Sequence, residues 1–202
     1  MERPDPSLAR ATTLIRRSGT ARARDLEAAG VARAQLTRLV DRGALVRLAR
    51  GLYALPGGPS PADEGLLIIA RRVPSARLCL LTALRLHGLT TQTPSEVWIA
   101  IGNKDRAPRL DWPPLRVLRF SGEALDAGLE TRQFDGASLR MTNVAKTVAD
   151  CFKFRTLVGL DVAVEALREA LLRRAASHGE IMQFAKVCRV TRIMRPYLEA
   201  LQ

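Results

Sequence analysis

The chain has 202 residues, of which 32 are basic and 20 acidic, giving a net charge of +12 and a sequence pI near 11.0. This excess of positive charge favours a polyanionic partner over a neutral one. With 47% hydrophobic residues, the composition excludes an intrinsically disordered chain. No stretch approaches the roughly 20 consecutive apolar residues of a membrane-spanning helix.

The positive charge is concentrated near the N-terminus. Residues 1–60 carry 11 arginines against five acidic side chains, a net charge of +6. The other 142 residues carry 21 basic and 15 acidic side chains, also +6. The excess charge per residue is therefore more than twice as dense in the first 60 residues.

The cysteines and the N-terminal residues predict a reducing compartment. Cys79, Cys151 and Cys188 are widely separated and form no Cys-x-x-Cys pair, which argues against a disulfide framework or a zinc site. The first six residues lack the basic-then-apolar order of a secretory signal. We therefore expect a cytoplasmic protein that does not bind membranes.

Two short helices are predicted at the start of the chain. Leu8, Leu14 and Ile15 are spaced to lie on one side of a first helix. Thr20 is the expected N-cap of a second helix, Arg22 to Ala29, because a threonine hydroxyl can accept from a free N–H of the first turn.

A third helix has the clearest pattern in the chain. Leu36, Leu39 and Val40 fall at positions i, i+3 and i+4, which collects them on one apolar stripe. The polar residues predicted for the opposite side are Gln35, Arg38 and Arg42. Gly43 follows where a left-handed helix end is expected.

A β-hairpin is predicted directly after this helix. Val46 and Leu48 alternate with their neighbours in the period of a half-buried strand, Arg50-Gly51 interrupts, and Leu52 to Leu55 resumes. Glycine supplies the positive φ that a tight turn needs. Helix, helix, turn, helix and hairpin is the order of a winged helix-turn-helix.

Such a domain has side chains suited to duplex DNA. A single helix fits the major groove, where arginine reads guanine and glutamine reads adenine. The predicted DNA-binding residues are Gln35, Arg38 and Arg42 for base edges or phosphates, Arg33 for the backbone, and Arg47 and Arg50 for the flanking backbone or minor groove. An alternative interpretation is a solvated helix face that carries arginines for solubility.

A proline-rich stretch predicts a domain boundary. Residues 56–61 contain three prolines and two glycines, which neither a helix nor a central strand accommodates. We expect a DNA-binding domain at residues 1–56 and a second, larger α+β domain at residues 62–202. This linker separates them.

The second domain is expected to combine a small mixed sheet with C-terminal helices. Helices are predicted at Ala62 to Arg72, Leu78 to Leu86, Leu160 to Ala176, Ser177 to Val190 and Thr191 to Leu201. Strands are predicted at Val97 to Ile101, Leu115 to Phe120, Leu129 to Phe134 and Ser138 to Met141, the last two joined by an Asp135-Gly136 turn. Asn143 is the expected cap of another helix.

The sequence predicts no catalytic residues, metal site or cofactor. His87 and His178 have no cysteine or second histidine at ligand spacing. The chain also lacks a nucleophile elbow, a phosphate-binding glycine loop and the glutamate–x–lysine spacing of many nucleases. These absences favour a non-enzymatic protein.

Several segments resemble the AbiEi family of antitoxins. They are residues 36–43 (Leu-Thr-Arg-Leu-Val-Asp-Arg-Gly), 50–56 (Arg-Gly-Leu-Tyr-Ala-Leu-Pro), 81–92 and 141–152. The first two are similar to the family's winged-helix domain, and the last two to its C-terminal half. The resemblance covers nearly the whole chain.

The resemblance implies an antitoxin of a bacterial toxin–antitoxin and phage-defence system. In that family the N-terminal domain represses the operon's own promoter, typically at inverted repeats, and the C-terminal domain counteracts a nucleotidyltransferase-like toxin. Two alternatives stay open: an enzyme that modifies its toxin or cuts DNA, and an interaction module whose basic C-terminal helices bind the toxin or RNA.

Overall fold

The computed structural model describes residues 5–18, 20–57, 61–110, 112–134 and 137–201. These residues contain eleven helices and two small β-sheets. This mixed architecture confirms the predicted α+β fold class. The described residues form two compact units. The first unit comprises Met1–Pro74, Leu110–Pro113 and Gln133–Leu139, and the second comprises Ser75–Arg109, Pro114–Arg132 and Arg140–Gln202.

The first unit contains a helical core beside a three-stranded antiparallel sheet in the order β1-β3-β2. Its elements are α1 (Pro6–Ser18), β1 (Thr20–Arg22), α2 (Ala23–Ala28), α3 (Arg33–Asp41), β2 (Val46–Ala49), β3 (Leu52–Ala54) and α4 (Pro61–Arg72). Ile15, Leu26, Leu36, Leu39 and Leu45 are at most 2% exposed and share one apolar cluster. The predicted apolar stripe of the third helix therefore packs into this core.

The role predicted for Thr20 is wrong. Thr20 is buried and begins β1, where it pairs with Ala54 of β3. The N-cap of α2 is Arg22, which makes no side-chain cap hydrogen bond. Thr20 pairs with a strand more than 30 residues away along the chain instead of capping a helix. The local sequence around Thr20 does not indicate this pairing.

Helix α4 groups with the first unit, because the chain passes to the second unit after Pro74. Leu66, Leu67, Ile68 and Ile69 of this helix are fully buried, whereas Ala70 is only half-buried. Residues 58–60 of the predicted linker lie outside the described residues. The boundary at residues 56–61 stays a prediction.

The remaining elements build a five-stranded mixed sheet, in the order β6-β5-β4-β8-β7, and a set of helices. The strands are β4 (Arg77–Leu78), β5 (Val97–Gly102), β6 (Leu115–Phe120), β7 (Leu129–Phe134) and β8 (Ala137–Thr142). The helices are α5 (Leu80–His87), α6 (Glu123–Asp126), α7 (Val144–Lys153), α8 (Arg155–Val158), α9 (Leu160–Leu172), α10 (His178–Val187) and α11 (Thr191–Ala200). Strand β4 runs antiparallel to β5 and parallel to β8, and β5 runs parallel to β6. The predicted small mixed sheet is therefore present.

Three predicted helix boundaries in this region are wrong. Leu78 belongs to β4, and the helix begins at Leu80; a two-residue strand is too short to show the period of two in the sequence. The helix that begins at Leu160 ends at Leu172 rather than Ala176, and the helix predicted to reach Val190 ends at Val187. The predicted Asp135-Gly136 turn lies outside the described residues.

Helix α7 is the central element of the second unit. It contacts α5, α9, α10 and α11, and every residue from Ala145 to Phe152 is buried. Asn143 caps its N-terminus as predicted, because its Oδ1 accepts a 2.9 Å hydrogen bond from the Lys146 N–H. A helix buried on all sides needs apolar side chains throughout. Among these buried residues Thr147 is polar, and Lys146 and Asp150 are charged.

These two side chains form an ion pair inside the core. Lys146 Nζ lies 2.6 Å from both carboxylate oxygens of Asp150, and neither side chain is exposed. Cys188 Sγ donates to Asp150 Oδ1 at 3.2 Å, and Lys146 Nζ lies 4.9 Å from the centre of the Phe120 ring. Burial raises the pKa of Asp150, while Lys146, Cys188 and Lys153 act in the opposite direction. Direct contacts therefore compensate both buried charges.

Candidate nucleic-acid interface

Helix α3 exposes its polar side chains and buries its apolar stripe. Arg38 and Arg42 are exposed, and they are one helical turn apart on the same side of the helix. In the part of the chain that the structure describes, neither guanidinium has a hydrogen-bond or ion-pair partner. Two fixed positive charges are therefore presented to solvent, where a phosphate or a base edge can approach.

The predicted base-reading residue Gln35 also serves the helix itself. Its Oε1 accepts a 2.9 Å hydrogen bond from the Ala32 N–H at the helix N-terminus, and its side chain is half-buried. A residue at the third helical position commonly makes this contact. The amide nitrogen of Gln35 is then the group left to contact a base.

Arg33 is paired within the protein. Its Nε donates to Glu27 Oε1 of α2, although 84% of the Arg33 side chain is exposed. The sequence analysis did not single out Glu27, because this pair joins two helices across the Gly30 turn and has no periodic signal. A DNA phosphate would have to compete with this carboxylate for Arg33.

The predicted wing is a β-hairpin formed by β2 and β3. Arg47 pairs with Tyr53 in the ladder and is exposed, and Arg50 is exposed in the turn. Gly51 has a φ of +74°, which is the left-handed conformation expected of the turn glycine. The hairpin follows α3 after only four residues, 42–45, so helix and wing are adjacent along the chain.

Asp41 is a further residue that the sequence analysis left out of the site. It is exposed three residues after Arg38, and this spacing puts both on the same side of α3. A carboxylate on the proposed contact face repels phosphates. Its position limits how closely the backbone of DNA can approach the C-terminal turn of the helix.

A metal ion in a protein needs several ligand side chains close together. Among the described residues, no group of three or more His, Cys, Asp or Glu side chains is placed to hold a metal ion. In the same residues, no helix is long and apolar enough to cross a membrane.

Comparison with protein families finds a match to part of the first unit. Residues 10–56, which run from α1 through the hairpin, match a family described as "Transcriptional regulator, AbiEi antitoxin". We refer to residues 10–56 as the AbiEi-type segment because they are similar to this family. The match confirms the resemblance of the N-terminal residues and supports a role as an antitoxin and transcriptional regulator. Residues 81–92 and 141–152 lie outside it, so their resemblance stays a prediction.

A solved structure resembles the fold of nearly the whole chain. The crystal structure of the RV2827C protein from Mycobacterium tuberculosis aligns with a TM-score of 0.63 at 18% sequence identity, and the alignment covers 92% of this chain and 73% of that one. At this identity the similarity shows a shared fold. No curated protein matches the chain. The AbiEi-type segment is thus part of an arrangement of elements already seen in another protein.

Proposed function

We propose that this protein is a cytoplasmic, non-enzymatic antitoxin that binds DNA of its own promoter as an autorepressor and counteracts a nucleotidyltransferase-like toxin. The observation that carries this proposal is the coincidence of the AbiEi-type segment, residues 10–56, with a winged helix that exposes Arg38 and Arg42. In this proposal α3 enters the major groove of the operator. The larger second unit serves the antitoxin role.

The roles proposed for the individual side chains follow from their positions. Arg38 and Arg42 contact base edges or phosphates, and the Gln35 amide nitrogen contacts a base. Arg47 and Arg50 of the hairpin bind the flanking backbone or minor groove. An operator of inverted repeats would present two equivalent half-sites, each able to accept one winged helix.

We expect Arg38→Ala to weaken binding to the DNA upstream of the gene by about 10- to 100-fold, equivalent to about 1–3 kcal/mol. The loss follows from removing an unpaired guanidinium from the contact face. Fluorescence anisotropy with labelled promoter DNA measures it. Arg192→Ala removes the same charge from an exposed site in the second unit and is the matched control. Equal weakening by both variants would contradict a specific role for α3.

The salt dependence provides a second readout in the same assay. If about five phosphates are neutralised, the logarithm of the association constant should fall with the logarithm of salt concentration with a slope of roughly −4 to −5.

In cells, the Arg38→Ala/Arg42→Ala variant should lose repression of a promoter reporter while it still protects against the co-expressed toxin. Retained repression would refute the proposal.

Glu27→Gln is expected to tighten promoter binding by about two- to fivefold, the range of a surface ion pair worth up to about 1 kcal/mol. The substitution releases Arg33 from its carboxylate partner. Asp25→Asn is the matched control, because Asp25 lies on the same helix and pairs with Arg24, which is not among the proposed contacts. If both variants bind equally more tightly, the change in net charge alone explains the result, and Arg33 has no individual role.

A further inference from the structure

The second unit contains a pocket that neither the DNA-binding proposal nor the family match accounts for. It has a volume of about 770 Å³ and lies between the segment that follows β6, the end of α7 and the end of α10. This size is within the range of pockets that hold small ligands, typically about 300–1,000 Å³. The pocket is therefore large enough for a nucleotide.

The lining of the pocket is strongly cationic. Lys153, Lys186 and Arg189 contribute three positive charges, and Glu123 contributes the single carboxylate. Among the residues that the structure describes, none of the three cations has an ion-pair partner, although arginines elsewhere in this unit do. Cations that share one concave surface repel each other, so a multivalent anion between them would be stabilised.

Neighbouring aromatic rings hold Lys153 in place. Its Nζ lies 5.8 Å from the centres of both the Phe120 and Phe154 rings, which stack on each other at 5.2 Å. The nearby Asp150 carboxylate is already bound on both oxygens by Lys146 and also accepts from Cys188, whose residue lines the pocket. Asp150 is therefore occupied by other partners, and the Lys153 ammonium can contact a ligand in the pocket.

Arg189 has an unusual backbone for a residue that is not glycine. Its φ is +59°, in the left-handed region, directly after the C-cap of α10. Glycine adopts this conformation without strain and is the residue found there most often. An arginine at this position places a guanidinium at the pocket, although glycine would adopt the same backbone with less strain.

We propose that this pocket binds the phosphate groups of a small polyphosphate ligand, either a nucleoside polyphosphate or free pyrophosphate. Three cations that converge on one cavity match the charge of two or three linked phosphates, and arginine and lysine are the side chains that bind phosphate most readily. The site is independent of the DNA-binding proposal, because it uses no residue of the first unit.

The test is isothermal titration of the full chain with ATP, pyrophosphate and adenosine. We expect saturable 1:1 binding of ATP or pyrophosphate and no binding of adenosine. Tighter binding of ATP than of pyrophosphate identifies a nucleotide ligand. Tighter binding of pyrophosphate than of ATP identifies free polyphosphate. Arg189→Gly should weaken this binding by about tenfold or more, because a charge-assisted contact is lost. This variant also relieves the left-handed backbone, so it should fold normally.

A closely matched control is available in the same unit. Arg174 also follows a helix with a positive φ, +52°, but it does not line this pocket. Arg174→Gly therefore removes the same charge and relieves the same kind of strain, and it should leave ligand binding unchanged. Arg38→Ala should also bind the ligand as the wild type does. This result is expected whether or not Arg38→Ala weakens DNA binding, so the two proposals are tested separately.

Three results would overturn the proposal. The first is that neither ATP nor pyrophosphate binds saturably. The second is that Arg189→Gly and Arg174→Gly weaken ligand binding equally. The third is that the chain binds a single-stranded RNA but neither ATP nor pyrophosphate. The second result would indicate a response to net charge alone. The third would assign the pocket to a nucleic-acid surface.

Discussion

Lys146→Met is expected to lower the free energy of unfolding by about 3–5 kcal/mol, because it leaves the Asp150 carboxylate without its partner in a fully buried site. The ammonium group that binds both carboxylate oxygens is lost, and among the described side chains the Cys188 thiol is the donor that remains on Asp150. Urea unfolding followed by circular dichroism measures the change.

The size of this loss should depend on pH. Burial already raises the pKa of Asp150 above its usual 3.8, and removal of Lys146 removes the largest opposing influence, so the pKa should rise further. At pH values between the pKa of Asp150 in the unfolded chain and its higher pKa in the folded variant, the folded state binds one more proton than the unfolded state. The free energy of unfolding of the variant therefore falls as pH rises through this range. The variant should therefore be closer to the wild type at pH 5 than at pH 8.

A double variant separates the ion pair from the volume of the side chains. Lys146→Met/Asp150→Leu replaces both charges with apolar groups and should recover much of the stability that Lys146→Met loses, because no buried charge is left unpaired. Equal instability of the single and double variants would indicate that packing, and not charge compensation, sets the cost. A pH-independent loss in the single variant would point the same way.

Gly128→Ala is expected to destabilise the second unit by about 2–4 kcal/mol, combining left-handed strain with overpacking. Gly128 has a φ of +64°, and a Cβ added there would lie 2.7 Å from the Phe184 ring and 2.9 Å from Lys146 Cβ. The second contact is on the central helix and cannot easily move. Chemical denaturation gives the loss directly.

Gly88→Ala is the matched control for this prediction. Gly88 has a left-handed backbone with a φ of +69° and a ψ of 24°, and the nearest neighbour of an added Cβ would be the end of the flexible Arg173 side chain, at 3.4 Å. Its cost should be confined to backbone strain, about 1–2 kcal/mol. If the two alanine variants were equally stable, the close approach of Phe184 and Lys146 to Gly128 would carry no energetic weight.

The sequence predicted those elements whose pattern is local and long enough to repeat. Helix α3 shows its apolar stripe within nine residues, and Asn143 precedes its helix with a recognisable cap. Strands β1 and β4 were missed because they have three and two residues, and partners distant in sequence stabilise them. Thr20 accordingly looked like a helix cap when its environment was a sheet.

The candidate interface was only partly accessible from sequence. The periodicity of α3 put Arg38 and Arg42 on a free face, and the structure exposes both. The periodicity did not show that Glu27 binds Arg33 or that Gln35 caps its own helix, because both contacts depend on the direction of individual side chains. The pocket beside Arg189 was also missed, since its cations come from two separate helix ends.

All three cysteines of the chain belong to the second unit, and Cys79 and Cys151 are completely enclosed there. Burial raises the pKa of both thiols well above its ordinary value, so almost no reactive thiolate exists while the unit stays closed. The rate at which an alkylating reagent modifies them therefore measures how often the second unit opens. The native cysteines thus report the stability of the second unit, and no label has to be added near helix α3 of the first unit.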